Sequence, residues 1–353
     1  MGRITFVIGT KAEFLRLFPL MLYLQKKNEP YDLVHTWQHD LEDYPWRFQV
    51  KPAGFYEFPE FKDTEVNIKS LYRAYGLYHK LQKTLKELKP SMVIYQGDTL
   101  TTGIASLVCK RSGFRSAHVE AGFRSGNWKE PFPEETIRKV ADRRASILFA
   151  SSESAWMNLN QEKVKGDIIL SGSTVTDSVR HVMELPNRRA PLERAVITMH
   201  RYENLFNVDR LRKIIDILQF ATTPLIWPMH EHTRQKLQDY GMMEDLRGIS
   251  ILPSLDYRDF IGLVAGSSYT ITDGGSLEEE SVVLGRKCLL LRKLTERTEL
   301  QTLRLTFLGG LNVSKSANYL REIEESPTCD SSLNPYYLGR PASEIIGDRL
   351  LEG

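Results

Sequence analysis

Three carboxylates and two histidines stand where apolar runs end. Asp98 follows SMVIYQG, Glu120 follows SAHV, and Glu134 lies in PFPEE, a loop that begins a helix-like segment. Several carboxylates meeting in one cleft are costly unless they are protonated, paired or used in catalysis. General acid–base work is therefore open to these three. So are plainer duties: Asp98 and Glu134 could cap helices, and Glu134 could pair with Arg138 at i,i+4. His200 follows AVITM and His230 follows LIWPM. One histidine after a strand is ordinary, whereas two in the same relation to neighbouring strands are less easily structural. They are not spaced as zinc ligands, and no Cys or carboxylate completes a metal site.

Anion-binding chemistry is suggested at two strand–turn–helix junctions. TDGGSLEEESVVLG (272–285) follows SYTI and opens a helix. Gly274 and Gly275 would let the backbone approach a ligand, and the helix N-terminus favours an anion such as a diphosphate. An N-capped helix with acidic residues in its first turn explains the same letters. The three glutamates project about 100° apart on a helix, so at most one or two face one ligand, and one could accept both ribose hydroxyls. IGTKAEFLR (8–16) offers Lys11 and Arg16 at another such turn. There is no G-x-G-x-x-G and no Walker motif.

The elements that position these residues follow a βαβ rhythm. ITFVIGT reads as a buried strand and FLRLFPLMLYLQKK as a helix. Ile68, Leu71, Tyr75, Tyr78, Leu81, Leu85 and Leu88 step by three or four along one helix face. Pro90 stops that helix, and SMVIYQGDT is the next strand. ASLVCKRS, SAHVEAG, an Arg-rich helix, ILFASS and IILSGST follow, implying a parallel sheet covered on both faces. The rhythm lapses in SVRHVMELPNRRAPLER, which reads as a linker. A second series runs AVITMH, LRKIIDILQF, LIWPMH, ISILPSL, SYTITDGG, KCLLLRK and LGGLNVS, and ASEIIGDRLLEG reads as a closing helix. The expected domains are 1–177, a linker at 178–193, 194–335, and a C-terminal segment, 336–353. Ligands of open α/β sheets bind at the carboxyl ends of strands, where the polar residues above fall. A cleft between two α/β domains is the natural expectation.

Composition sets the class. At 353 residues two domains are expected, and 41% hydrophobic with 26% charged residues is ordinary for a soluble protein. A formal net charge of +2 without long charge runs argues against nucleic acid or an anionic membrane as partner. The opening MGRITFVIGTKAEF has too short an apolar run for a signal peptide, and no stretch approaches the ~18 apolar residues of a membrane span. Cys109, Cys288 and Cys329 are far apart and odd in number, which argues against a disulfide framework or a zinc site. A cytoplasmic enzyme is expected.

The motifs in combination resemble the UDP-N-acetylglucosamine 2-epimerase family. They are GTKAE, QGDT, HVEAGFRS, PFPEETIRK, SGSTVTD, MHRYEN, WPMH, LDYRDF, TDGGSLEEE and LGRKCLLLRKLTERTE, with NPYYLGRPASEII near the end. The resemblance runs in order over nearly the whole chain. It implies the GT-B architecture: two Rossmann-like domains, a cleft between them, and a C-terminal helix packing back on the first. It implies catalytic roles for Asp98, Glu120, Glu134 and His200. For UDP and substrate it implies Lys11, Arg16, His230, Phe260 on the uracil side, the turn Gly274, Gly275 and Ser276, Glu280 at the ribose, and Arg297. The implied reaction is 2-epimerisation of a UDP-N-acetylhexosamine through 2-acetamidoglucal, serving surface polysaccharide, with no metal or nicotinamide and a homodimeric enzyme.

The chain departs from the family pattern in places. Lys11-Ala12 replaces Arg-Pro, and Lys lacks the bidentate fork of Arg. Asp273-Gly274-Gly275-Ser276 replaces Asp-Ser-Gly-Gly, Ser173 replaces Asn, and Tyr202 replaces the second Arg after the histidine. Gln38-His39 remain from a segment that serves an activating second UDP-sugar in some bacterial members, but Asp40-Leu41 diverge. A hydrolysing 2-epimerase, an epimerase for a related UDP-sugar, a GT-B glycosyltransferase and a non-catalytic UDP-sugar-binding regulator are the alternatives.

Overall fold

Short runs such as ITFVI and MVIYQ are buried along their whole length, as strands covered on both faces must be. The computed structural model describes residues 2–41, 44–62, 68–127, 133–185 and 193–352. It divides into two units, one of residues 1–178 with 335–353 and one of residues 179–334.

The first unit starts with β1 (Ile4–Ile8), α1 (Lys11–Lys26), β2 (Tyr31–His35), β3 (Gly54–Glu57), α2 (Ile68–Leu88) and β4 (Met92–Gln96). It continues through α3 (Leu100–Ser112), β5 (Ser116–Ala121), α4 (Glu134–Asp142), β6 (Ile147–Ala150), α5 (Glu153–Gln161) and β7 (Asp167–Leu170), to the start of α6 (Thr174–Glu184). Its strands pair in the order β3-β2-β1-β4-β5-β6-β7, every pair parallel. The order reverses direction between β1 and β4, which makes their carboxyl ends the switch point where such sheets bind ligands.

Two helices show how sequence and packing meet. Pro19 lies inside α1 and cannot donate to the carbonyl four residues back. Ser178 Oγ donates instead to Leu15 O at 2.7 Å, so the carbonyl freed by the ring is satisfied. On α2 the buried stripe is Leu77, Leu81 and Leu85, whereas Tyr75, expected on that face, is 67% exposed. Burying each leucine contributes about 1.5–3 kcal/mol, and Tyr75 loses the competition because the stripe is centred two residues further on.

The second unit contains β8 (Ala195–Thr198), α7 (Tyr202–Leu205), α8 (Val208–Leu218), β9 (Leu225–Met229), α9 (Glu231–Asp239), β10 (Ser250–Pro253), α10 (Tyr257–Gly266) and β11 (Thr270–Thr272). Then come α11 (Gly275–Val283), β12 (Cys288–Leu290), α12 (Thr298–Thr302), β13 (Thr306–Leu308) and α13 (Val313–Glu325). The order is β10-β9-β8-β11-β12-β13, again all parallel. This is the dinucleotide-fold order, with its reversal between β8 and β11. LGGLNVS gives only its first residue to β13; Gly310, at φ 65°, turns the chain and Asn312 caps α13.

The closing helix, α14 (Ala342–Leu351), belongs to the first unit and packs on α1. A Cβ on Gly347 would stand 2.3 Å from the Tyr23 ring, so this contact requires glycine. α6 runs through the start of the segment expected as a linker, and its residues 186–192 lie outside the described residues.

Candidate active site

In the first unit, the site residues stand on the turns that leave β1, β4 and β5. Glu120 is in β5 with φ 67°, a left-handed backbone that is uncommon for a non-glycine residue and more so within a strand. The strand register shifts there, between Val119 and Ala121. The buried Glu120 carboxylate accepts from Arg16 Nη1 at 2.5 Å and from Gln96 Nε2. Arg16 Nη1 also lies 3.8 Å from where a Cβ on Gly97 would stand. The Gly97–Asp98 turn and Glu120 therefore share Arg16 as a neighbour.

Asp98 forms an ion pair with Arg138 Nη2. Arg138 also meets Glu135, Nη1 to Oε2 at 3.2 Å, so it ties the α4 N-terminus to the Asp98 turn. Glu134 is the first residue of α4 and its Oε2 is buried. The capping expectations are corrected: Thr99 caps α3 and Pro133 occupies the cap position of α4. Threonine wins over Asp98 because its hydroxyl reaches the Thr102 N–H, at 3.2 Å. Residues 128–132, which precede Glu134 in sequence, lie outside the described residues.

Beneath these groups lies a buried network that the sequence reading did not single out. His118 Nδ1 meets Asp142 Oδ1 at 2.7 Å, and its Nε2 meets Gly97 O at 2.8 Å. Arg124 bridges Asp142 at 2.8 Å and Glu162 at 2.8 Å. Burial would raise the Asp142 carboxyl, but His118 and Arg124 together hold it below its ordinary value of 3.8. Glu13 is the other missed carboxylate. Thr10 and Glu13 form a reciprocal capping box, and T-K-A-E was its legible signature. Burial pushes Glu13 above its ordinary 4.5. Lys11 is exposed, 5.6 Å above the Tyr44 ring.

In the second unit, the site residues gather at the ends of β8, β9 and β11. Buried Asp273 accepts from the backbone N–H of His200 at 3.1 Å and of Arg201 at 3.0 Å, and from Asn204 Nδ2 at 3.1 Å. It thereby fixes the turn that presents the His200 ring, which is 53% exposed. The His200 and His230 rings are 5.9 Å apart. Burial, followed by the nearby His200, pushes His230 below its ordinary 6.5.

Gly275 begins α11, and no side chain caps this helix. A Cβ on Gly275 would stand 2.9 Å from Arg297 Nη1 and 3.6 Å from Arg292 Nη2. Two guanidinium groups beside the positive end of a helix dipole make a place that favours an anion. Two of the three glutamates that follow pair with these guanidinium groups. Glu278 accepts from Thr295 Oγ1 at 2.8 Å and Thr306 Oγ1 at 3.0 Å, and pairs with Arg292 at 3.4 Å. Glu279 pairs with Arg297 at 3.1 Å, and Glu280 accepts from Tyr257 Oη at 3.1 Å. All three are buried. Phe260, one turn after Tyr257 on α10, is half-buried against the core cluster formed by Val196, Ile226, Val264 and Leu277. Ser276 is half-buried in the first turn of α11.

Two Rossmann-like domains, each with a parallel sheet and polar residues at its switch point, define the GT-B class of α/β protein. The family model described as UDP-N-acetylglucosamine 2-epimerase matches residues 24–348, and the chain belongs to that family. It is an enzyme, an isomerase. The UDP-N-acetylglucosamine 2-epimerase of Methanocaldococcus jannaschii is 29% identical over 337 residues, 89% of this chain and 90% of that protein. The crystal structure of the M. jannaschii enzyme in complex with UDP-GlcNAc and UDP superposes with a TM-score of 0.86 at 26% identity, covering 99% of this chain and 100% of that one. The Neisseria meningitidis enzyme bound to UDP-GlcNAc gives the same TM-score, 0.86, the same identity, 26%, and the same coverages, 99% and 100%.

Proposed function

We propose that this chain interconverts UDP-N-acetylglucosamine and UDP-N-acetylmannosamine. A base removes the C2 proton while the bond from C1 to the UDP oxygen breaks, leaving UDP and 2-acetamidoglucal. The UDP oxygen then adds back to C1, and C2 takes a proton on the opposite face. Asp98, Glu120 and Glu134 carry or orient the protons. Arg297, Arg292, His200 and the N–H groups of Gly275 and Ser276 stabilise the charge that builds on the departing diphosphate. Glu280 accepts the ribose hydroxyls, with Phe260 on the uracil side.

The observation that carries this reading is Glu120: a buried carboxylate on a left-handed backbone, gripped by Arg16 and Gln96. The outlying backbone together with the buried, paired carboxylate supports a functional role for this position. The UDP-GlcNAc named in the complexes of both structural relatives supplies the substrate. Incubation with UDP-N-acetylglucosamine alone, in heavy water, tests it. The 2-epimer still joined to UDP, with deuterium at C2, is expected. Free sugar would show the hydrolysing reaction. No reaction without an acceptor would favour a glycosyltransferase. The working form is a homodimer, and sedimentation at a single-chain mass at micromolar concentration would remove that part.

A further inference from the structure

Glu13 is buried to 1% exposure and has no part in the mechanism above. Its Oε2 accepts from Gly9 N and Thr10 N, both at 2.8 Å, and from Thr10 Oγ1 at 3.1 Å. Its Oε1 accepts from Thr99 Oγ1 at 2.5 Å and Thr102 Oγ1 at 3.2 Å. A capping box needs only the first set of bonds. The second set joins α1 to a different element, the turn between β4 and α3. Thr10 precedes Lys11, and Thr99 follows Asp98. The other side of the Asp98 turn is held as well, because Gly97 O meets His118 Nε2 at 2.8 Å and Gly97 N donates to Val119 O at 3.2 Å.

We propose that Glu13 is a positioning residue: it locks the Asp98 turn to the Lys11 turn across the switch point of the first sheet, and turnover depends on that lock. The inference rests on the reading of Asp98 as a proton-transfer group. Glu13 touches no substrate. It acts through Thr99, which follows directly on Asp98 and whose hydroxyl is fixed between Glu13 Oε1 and the Thr102 N–H. A misplacement of about 1 Å at a reacting group costs on the order of 10²-fold in rate. The amide of a glutamine would still accept from the two backbone N–H groups and could donate to Thr99 Oγ1, because a hydroxyl both donates and accepts. An alanine offers nothing at either oxygen.

The test uses the full chain and reads kcat, KM for UDP-N-acetylglucosamine, UDP affinity and the melting temperature. Glu13→Ala should lower kcat roughly 10- to 100-fold, with KM and UDP affinity within about threefold of the unaltered protein. Glu13→Gln should recover kcat to within about fivefold, which loss of bulk folding stability alone would not produce. In an Asp98→Asn background, Glu13→Ala should cost less than about threefold more, because both act through one group. Should Glu13→Ala fail to fold, Thr99→Val breaks the same link from its other end, with Thr99→Ser as the rescue, and the same split between kcat and KM is expected. Unaltered turnover in Glu13→Ala or in Thr99→Val, or a full multiplicative loss on top of Asp98→Asn, overturns the lock. If Asp98→Asn itself turns over normally, the reading of Asp98 has failed and the lock falls with it; a slow Asp98→Asn beside a normal Glu13→Ala removes the lock alone.

Discussion

Arg16 on α1 and Glu120 in β5, 104 positions apart in sequence, meet as a largely buried ion pair, Nη1 to Oε2 at 2.5 Å. This places Arg16 beside a candidate proton-transfer carboxylate, whereas the family resemblance assigned it to UDP. The two roles separate experimentally. Arg16→Gln should lower kcat by more than it weakens UDP binding, and it should lower stability because Glu120 loses its cation. A tenfold loss of UDP affinity at unchanged kcat would instead make Arg16 a diphosphate ligand. Glu120→Gln should cut turnover by about 10²–10⁴-fold, the usual scale of general acid–base catalysis, with UDP still bound.

Glu280 and Tyr257 set the second test. The Tyr257 hydroxyl donates to Glu280 Oε1 at 3.1 Å and aims the carboxylate. Removing a charged acceptor of a buried hydroxyl pair costs about 1–3 kcal/mol. Calorimetric titration of Glu280→Ala with UDP should show a loss of that size, and Tyr257→Phe a smaller one. Equal affinity of the Glu280→Ala and unaltered proteins would remove Glu280 from the ribose.

Much of this arrangement was legible. Buried parallel strands read as continuous apolar runs, so β1, β4, β5, β8 and β11 could be placed, and with them the turns that carry Asp98, Glu120, His200 and Gly275. β2 and β3 were not read: YDLVH carries a buried Asp32 and His35 within five residues, and polar letters break the pattern. Asp32 is compensated by Arg3, just before β1, at 3.0 Å, a contact 29 residues apart that no local spacing announces. The same limit hid Gln96, His118 and Asp142, and the pairing of Arg138 with Asp98. Their partners come from other strands and helices, so which carboxylate each cation serves depends on tertiary packing. Glu13 was missed as well, although its capping signature was local and readable.

His35 provides a pH test. Its ring is fully buried between Trp37 and Phe55, with centroids at 5.5 and 6.5 Å. Burial pushes it below its ordinary 6.5. The unfolded chain then binds the proton more readily than the folded one. This contribution to stability is complete above about pH 6.5 and is lost as pH falls through 6.5 toward the folded value. His181 and His230 are lowered by burial too and act in the same window. Unfolding free energies from urea titrations should fall between pH 7 and 5, by up to about 1.4 kcal/mol per pH unit for the buried His35 and by less for the partly exposed His181 and the exposed His230, which solvent screens. His35→Gln should flatten that slope. A midpoint that rises on acidification over this range would contradict the assignment. Asp142, lowered from 3.8, loses its contribution only further down, as pH drops below that value.

Gly275→Ala separates ligand binding from folding most sharply. Gly275 is the first residue of α11, and its φ is not among the positive ones, so alanine suits the backbone. Replacing a helical glycine under such conditions stabilises a protein by about 0.4–1 kcal/mol. The new Cβ, however, would stand 2.9 Å from Arg297 Nη1. Arg297 is only 4% exposed and is held by Glu279 at 3.1 Å, but the atom met is the far end of a long side chain, so the guanidinium can shift away from the methyl group, out of its place beside the helix N-terminus, without moving backbone. The methyl group also covers the N–H groups that would face a diphosphate. The melting temperature should therefore hold or rise while UDP affinity falls, by about tenfold for the loss of one charge-assisted contact worth roughly 1.5 kcal/mol. A fall in both would mean that the clash disturbs the fold rather than the ligand. Undiminished UDP affinity would show that the diphosphate does not use the N-terminus of α11.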